Sequence, residues 1–502
     1  MQKTYYIQTF GCQMNQSDSE RMSSYMESLG FTQANDWKTA DYVVLNTCSV
    51  RQKAEDRING VVNNIRAKSE NPNTQVILTG CMTRRVWDES RIAKNSTQKD
   101  AIERENELKK SFPKVDIVIE TKDFVKLNER LGIERRFNDS AEHYLSYKPK
   151  YKNNFQAFVP ISTGCNHFCT FCIVPFSRGK EVCRPASEII REIFDLVKNG
   201  YKDITLLGQT VNRWINPDFK NEFNYNEAMT YIEGLNTKVM SKESLKIWGD
   251  FFQKKLEGSV AAGIEFEKNL QMPRDFLQLI QVLDQIPGDW WTTWVSSHPN
   301  YMTDELLEFV GSSSKEGHQK PYIHFALQSG SDKMLRRMNR RYTFDEFYSV
   351  VKKMRESIPE VSLSTDVIVG FIGESEEDFQ ASIEAEKKCR FDMIFISEYS
   401  PRKGTASARL KDDVPNELKS KRKDELNDVL REIARENNSK LIGSIQKVLA
   451  DGIHSKKGYL TARTRHNKEI NITNSTDKNL IGKFLEVTIT NAGPWSLEGE
   501  LK

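Results

Sequence analysis

Three cysteines within eight residues, Cys165, Cys169 and Cys172 in the stretch GCNHFCTFC, are the most chemically committed positions of this chain. At this spacing each thiolate can reach a different iron of a 4Fe–4S cube, and the fourth iron receives no cysteine from the loop. An iron left open can chelate the amino and carboxylate groups of S-adenosylmethionine. One electron from the cube then breaks a C–S bond and releases a 5′-deoxyadenosyl radical. Zinc is the competing use, with His167 inside the loop as a fourth ligand, although zinc sites usually pair a second CxxC or two histidines nearby.

A second trio is dispersed: Cys12, Cys48 and Cys81 each follow directly on a strand-like run, in YYIQTFGC, YVVLNTC and VILTGC. In an open parallel sheet, ligands collect at the carboxyl ends of the strands, where these three would converge. The alternative is three buried thiols packed as small hydrophobes, and spacing alone leaves both open. Cys389, between a charged helix and Phe391, reads as a core thiol. Cys183 lies among Arg178, Lys180 and Arg184, cations that lower a thiol's pKa, yet a structural role is expected for it.

The elements that must position these residues are of three kinds. Runs at Tyr5–Ile7, Val43–Leu45, Val76–Leu78 and Ile117–Ile119 alternate with charged helical stretches, the pattern of a parallel sheet covered by helices. A polar stretch from Arg136 to Asn154 suits a linker. Six further strands are expected at Ala157–Ser162, Ile204–Leu207, Thr292–Ser296, Ile323–Leu327, Ser362–Val369 and Met393–Glu398, enough for a partial or complete βα barrel. They are interrupted by an insertion, helical in character, over about 214–270 that is longer than a loop requires. Pro415 opens a helix with Leu426, Val429, Leu430 and Ile433 at helical spacing. After Ser439 the chain turns to strands at Ile442–Leu449, Gly458–Arg463, Glu469–Thr473 and Phe484–Asn491, a small all-β barrel. The expected fold is thus α/β, with units at 1–138, 151–437 and 440–502.

Composition fits a polar globular protein of about three domains: 502 residues, 38% hydrophobic and 28% charged, with a net charge of +3. Met1–Cys12 lacks a basic region followed by an apolar stretch, and no apolar run nears the roughly 20 residues that span a bilayer. A cytosolic location and no membrane partner are expected. Eight cysteines are too few for a disulfide framework in so long a chain. Residues 440–502 carry ten Lys/Arg against six Asp/Glu, a bias compatible with nucleic acid.

Together these segments resemble the methylthiotransferase family of radical S-adenosylmethionine enzymes. TFGCQMNQSDSE (9–20), LNTCSVR (45–51) and TGC (79–81) are similar to its amino-terminal domain, and GCNHFCTFCIVPFSRGKE (164–181) to its radical-cluster loop. LLGQTVN, SSHP, LQSGSDKMLRRMNRRYT, TDVIVGFIGESEEDF and YSPRKGT follow in the family's order. ARTRHNK (462–468) is similar to part of its TRAM domain, an RNA-binding barrel. GCQMN with LNTCSVR resembles the branch that acts on N6-isopentenyladenosine, also called N6-dimethylallyladenosine, at position 37 of tRNAs reading codons that begin with uridine. The other branches, which act on threonylcarbamoyladenosine or a ribosomal protein, carry GCKVN-like and GCPKN-like openings. Departures are Cys183 in place of a usual Ser, an atypical charged run from Met82 to Lys110, and the insertion.

The resemblance implies two 4Fe–4S clusters, on Cys12, Cys48 and Cys81 and on Cys165, Cys169 and Cys172, with two molecules of S-adenosylmethionine consumed. One methylates a sulfur at the first cluster; the other yields the radical that takes hydrogen from C2 of the adenine, where CH3–S is then delivered. Phe171 is a candidate to pack on the cofactor, or to fill the loop's core. Gln209, Gln328, Asp366 and Glu374 lie near strand ends, where polar groups can face the cofactor or cap turns. Arg336, Arg337, Arg340, Arg341, Lys456, Lys457, Arg463, Arg465 and Lys468 are candidate RNA contacts, with solvated faces as the alternative use. A flavodoxin or ferredoxin is the expected electron donor, and the protein is expected to be a monomer. The other class to weigh is a non-catalytic iron–sulfur RNA-binding protein, disfavoured because structural clusters generally take four protein ligands.

Overall fold

The computed structural model describes residues 2–49, 52–83, 98–134, 144–219, 239–258 and 270–502. Two stretches of the insertion, 220–238 and 259–269, part of the charged run after Thr83 and the first part of the expected linker lie outside those residues.

The first unit is a five-stranded parallel sheet in the order β2 (Thr32–Gln33), β1 (Thr4–Thr9), β3 (Tyr42–Thr47), β4 (Gln75–Gly80), β5 (Ile117–Val118). The central strand YVVLNT is buried along its whole length, as a parallel strand covered on both faces must be. Alternation then sorts its side chains into two cores. Val44 joins Tyr5, Met22, Tyr25 and Ile77 on one face, while Val43 and Leu45 join Ile58, Val62, Val76 and Leu78 on the other. The expected linker is partly structural: Tyr144, Leu145 and Tyr147 enter the first of these cores, and Tyr147 meets Tyr25 edge-on at 5.5 Å.

The middle unit has six parallel strands: β6 (Gln156–Pro160), β9 (Asp203–Leu207), β10 (Trp291–Trp294), β11 (Tyr322–His324), β12 (Ser362–Val369) and β13 (Met393–Glu398). Single bridges, Thr292 to Gln319 and Ser297 to Phe325, join its two three-stranded sheets into one open barrel. Between β6 and β9 a two-residue antiparallel ribbon, β7 (Ser162–Thr163) with β8 (Val182–Cys183), ties down the base of the Cys165–Cys172 loop. Cys389 is fully buried in the barrel's core, as expected of it, and Cys183 packs against that core. The described part of the insertion forms a helix, Lys242–Leu256, that lays Trp248 and Phe252 on the outer wall, where Phe252 stacks on Phe194 at 5.6 Å.

The first unit covers the barrel's β6 edge. Helix Gln13–Ser28 packs Met14 against Phe158 and Leu207, and the Ser17 hydroxyl donates to Phe158 O at 3.1 Å. Below it lies a buried polar hub. Glu192 accepts from Arg21 at 2.9 and 3.1 Å, from Arg184 at 2.8 Å and from the Tyr151 hydroxyl at 2.6 Å.

Helix Asn416–Ser439, which starts one residue after Pro415, leads into a closed barrel. Its order is β14 (Ile445–Ile453), β15 (Leu460–Thr464), β16 (Glu469–Ile472), β18 (Ser496–Leu501), β17 (Phe484–Ala492). The fifth strand, SLEGEL, has no clear sequence signal because half its residues are polar. This barrel docks on the amino-terminal ends of the strands of the six-stranded barrel. Leu449 and Phe484 meet Phe155 and Trp291, and Lys447 pairs with Asp289 at 2.6 Å. The Cys165–Cys172 loop leaves from the opposite end. Among the described residues no helix is long and apolar enough to cross a membrane.

Candidate active site

The dispersed cysteines meet at one edge. β1, β3 and β4 are neighbours in register, Thr9 beside Asn46 and Thr47 beside Gly80, so the residues that follow them emerge together. Gly11 has φ +120, and a Cβ there would come within 2.8 Å of Cys48 Cβ; only glycine lets the β1 loop cross so close. Cys12 caps helix Gln13–Ser28 and its thiol donates to Asn15 Oδ1 at 3.3 Å. Asn15 in turn donates to Asn46 Oδ1 at 3.1 Å and Thr47 O at 3.0 Å, locking the helix start to the end of β3. Cys12 is exposed while Cys48 and Cys81 are buried, so the trio has one open side. Burial pushes the Cys81 thiol up to about 11, with Cys48 and Cys12 adding to it and Arg178 opposing.

The compact trio sits on a strapped loop. Gly164, φ +78, has Lys180 O where a Cβ would be, at 2.2 Å, and Cys165 N donates to Gly179 O at 3.1 Å. From the far side of the barrel, Thr170 N donates to Met338 O at 3.1 Å and Asn339 donates to Phe168 O at 3.1 Å. Arg340 Nη1 donates to Cys169 Sγ at 3.3 Å, and Thr210 Oγ1 lies 3.8 Å from Cys165 Sγ. Burial pushes the Cys172 thiol strongly up, reinforced by Cys169 and Cys165, so the three sulfurs share one small environment.

Both donor sets fit iron. Buried thiols that resist ionisation alone are deprotonated by a coordinating metal, and a cube spreads its ligands over separate irons. Among the described residues no three His, Cys, Asp or Glu side chains close on a single ion. His167 stacks its ring on that of His298 at 4.3 Å and 7°.

Of the expected cofactor residues, Gln328 and Asp366 meet: Gln328 N donates to Asp366 O at 2.8 Å, and Asp366 Oδ2 lies 3.4 Å from His324 Nε2 inside the barrel. Beside Asp366 in register, Phe395 is 49% exposed while its neighbour Ile394 is buried outward, and its ring lies 5.8 Å from that of His324. Gln209 precedes Thr210 at the mouth and is half-buried. Glu374 is otherwise engaged: its carboxylate accepts from Gly370 N at 2.6 Å and Arg422 at 2.8 Å, a turn clasp, and burial pushes it up to about 7 despite that arginine. Phe171 packs with Phe371, Met334 and Met338, filling the loop's core.

Three expected RNA contacts are spent elsewhere. Arg340 turns inward to Cys169, Tyr342 and Ala326 O. Arg465 donates to Gly317 O at 2.6 Å and Ser313 O at 3.3 Å, and Lys468 pairs with Asp392 at 2.5 Å, so both clasp the small barrel to the large one. A basic run in sequence does not distinguish such clasps from phosphate contacts. Arg336, Arg337, Arg341, Lys456 and Lys457 are exposed, and Arg463 is half-buried beside Asp451. Arg178, Thr210 and His324 are site residues that sequence reasoning missed; a lone His or Thr carries no spacing signal, and Arg178 was weighed only as a neighbour of Cys183.

Residues 4–104 match the model described as uncharacterized protein family UPF0004, 159–385 the radical SAM superfamily, and 439–502 the TRAM domain. A Clostridium novyi protein named tRNA-2-methylthio-N(6)-dimethylallyladenosine synthase is 34% identical over 509 residues, covering 99% of this chain and 96% of its own. One of the same name from Dictyoglomus thermophilum is 35% identical, covering 99% and 98%. Among solved structures, a radical S-adenosylmethionine methyltransferase from Kitasatospora setae, TsrM with cobalamin and a 4Fe–4S cluster, overlays at TM-score 0.48. It shares 13% identity, covering 90% of this chain and 82% of its own.

Proposed function

The chain belongs to the family of tRNA-2-methylthio-N(6)-dimethylallyladenosine synthases, radical S-adenosylmethionine methylthiotransferases, and on that premise we propose that it adds CH3–S to C2 of N6-dimethylallyladenosine at position 37 of tRNA. The observation that carries this reading is the pair of three-thiol sites. Cys165, Cys169 and Cys172 hold one cluster and Cys12, Cys48 and Cys81 the other. When bound, the clusters and S-adenosylmethionine supply the radical and sulfur chemistry; the protein supplies alignment and a dry chamber.

The residues divide that labour. Arg340 donates to Cys169 and so places a cation on the ligand loop, while the 338–340 turn holds the loop's backbone. Helix Gln13–Ser28 covers the β6 edge and the small barrel covers the amino-terminal ends of the strands, which limits water entry. Asp366, His324 and Phe395 offer a polar pair and an apolar ring to a base inside. The exposed arginines beside the loop, Arg336, Arg337 and Arg341, and Lys456 and Lys457 on the small barrel suit phosphate contact. A flavodoxin or ferredoxin as electron donor, a monomeric state and a cytoplasmic location complete the proposal. Mass spectrometry of tRNA nucleosides from cells lacking this gene tests it. Loss of the 2-methylthio mark with N6-dimethylallyladenosine accumulating is expected; an unchanged mark refutes it.

A further inference from the structure

Strand β13 alternates as a barrel strand should. Ile394 and Ile396 pack outward into the core, and Phe395 between them turns to the interior, where the protein leaves 49% of it uncovered. We propose that Phe395 determines specificity for the nucleotide, as the surface on which the dimethylallyl tail of the target adenosine packs. The inference rests on N6-dimethylallyladenosine being the substrate.

Three neighbouring strands build this subsite. His324 of β11 lies beside Ser364 of β12; Asp366, two residues on and on the same face, lies beside Phe395 of β13. The rings of His324 and Phe395 are 5.8 Å apart. Ser296 N donates to His324 Nδ1 at 3.3 Å, so the ring's N–H is Nε2, which lies 3.4 Å from Asp366 Oδ2. Ser296, at φ +68, and Gln328, at φ +74, hold left-handed backbone that is costly for a residue other than glycine, and such strain gathers at ligand sites. Gln328 is the residue whose N donates to Asp366 O. An accepting carboxylate, its side chain still 38% exposed, thus stands next to an uncovered apolar ring. N6-dimethylallyladenosine presents the complement: one N–H left on N6, and a branched apolar chain beside it. A tail that ends in its own carboxylate, as threonylcarbamoyl does, would instead meet the Asp366 carboxylate and a ring that offers it nothing. β13 is also an edge, with β12 its one strand neighbour among the described residues, so Phe395 stands at the gap by which the barrel stays open. Covering roughly 100 Å² of ring, about half of what a phenylalanine presents, corresponds to about a 10–100-fold gain in affinity.

The test titrates the reconstituted full chain with two anticodon stem-loop RNAs, identical except that adenosine 37 carries the dimethylallyl group in one and is unmodified in the other. The ratio of the two affinities is the readout, because a merely structural residue moves both RNAs together. The parent protein should favour the dimethylallyl RNA by about 10–100-fold. Phe395→Ala should bring the ratio close to one, and Phe395→Leu, which keeps an apolar surface, should retain most of it. In turnover, Phe395→Ala should raise KM for the dimethylallyl RNA more than it lowers kcat. If Phe395→Ala does not fold, Phe395→Gln, of similar reach but polar, carries the same expectation. A variant that keeps the parent's ratio, an equal loss on both RNAs, or a parent that converts the dimethylallyl RNA but binds both alike overturns the proposal alone. A parent that does not methylthiolate the dimethylallyl RNA overturns the substrate reading, and the proposal with it.

Discussion

Replacing Glu192 by Gln separates the structural coupling of the two sites from their chemistry. Glu192 faces two buried cations, Arg21 with 1% of its side chain exposed and Arg184 with 6%. Burial alone would raise its pKa, but Arg21 and then Arg184 hold the carboxyl below its ordinary value, so it is ionised at neutral pH. Gln preserves shape and removes the charge, leaving Arg21 uncompensated and Arg184 with Glu188 alone, at 3.5 Å. Breaking a buried pair in this way costs about 3–5 kcal/mol. The lower end applies here. Arg21 keeps its bonds to Ser17 and Leu145 O, and Arg184 keeps Pro160 O. About 3 kcal/mol falls on the seam between helix Gln13–Ser28 and the barrel. Calorimetry should therefore show the first unit melting earlier while the radical barrel's transition moves little. 5′-Deoxyadenosine formation should persist while methylthio product falls, because helix Gln13–Ser28, which begins just after Cys12, is no longer held against the barrel. Adding Arg21→Met removes one orphaned cation and should recover part of the loss. A Glu192→Gln protein within about 0.5 kcal/mol of wild type, the range of an ordinary surface change, refutes the reasoning.

Other consequences are more direct. Cys169→Ala removes a ligand of the compact trio, so 5′-deoxyadenosine formation should be abolished; substantial cleavage would sink the assignment. Anaerobically prepared protein should carry about eight iron and eight sulfide per chain, the content of two cubes, and about half that or zinc would contradict it. Lys456→Ala with Lys457→Ala should weaken tRNA binding and flatten its salt dependence by about 0.7–0.9 per lost phosphate contact, as filter binding across salt concentrations can show. Arg465→Ala should instead loosen the docked barrel and appear mainly as lower thermal stability. Glu386 is buried with both oxygens unpartnered, and burial pushes its carboxyl up to about 8. A raised carboxyl contributes stability at low pH that is lost between its ordinary value near 4.5 and 8. Glu386→Gln should therefore stabilise the protein increasingly across that window, and a melting series showing no gain at pH 8 contradicts this.

What was readable in the sequence is what local rules control. Each member of the dispersed trio is announced by its own strand, because YVVLNT and VILTG are continuous apolar runs that only a doubly covered parallel sheet accommodates, and the cysteine follows at the ligand-bearing end. β12 and β13 were placed to the residue for the same reason. What escaped is what tertiary packing decides. SLEGEL alternates too weakly to read as a strand, yet pairs with β16 and β17 once the barrel closes. Tyr144–Tyr147 sits in a polar context that argued for a linker, but three apolar side chains suffice to bind it to the core.

Charge was the hardest property to read. Arg340, Arg465 and Lys468 occur in basic runs where sequence suggests solvent or phosphate, and Arg178 was read only as a neighbour of Cys183; each is drawn inward by a partner more than 70 residues away in the chain. The partners differ in kind: a carboxylate on helix Gln13–Ser28, a cysteine sulfur, loop carbonyls and an interdomain aspartate. Only the last two are explained by docking alone, since their removal would leave both cysteine trios untouched. Arg340 alone of the four ends at a sulfur, donating to Cys169. A guanidinium buried at a thiol is a costly placement that a scaffold alone does not require, and it sets a cation beside the position an anionic cluster would take. That placement argues that the protein controls the Cys165–Cys172 centre electrostatically as well as by position.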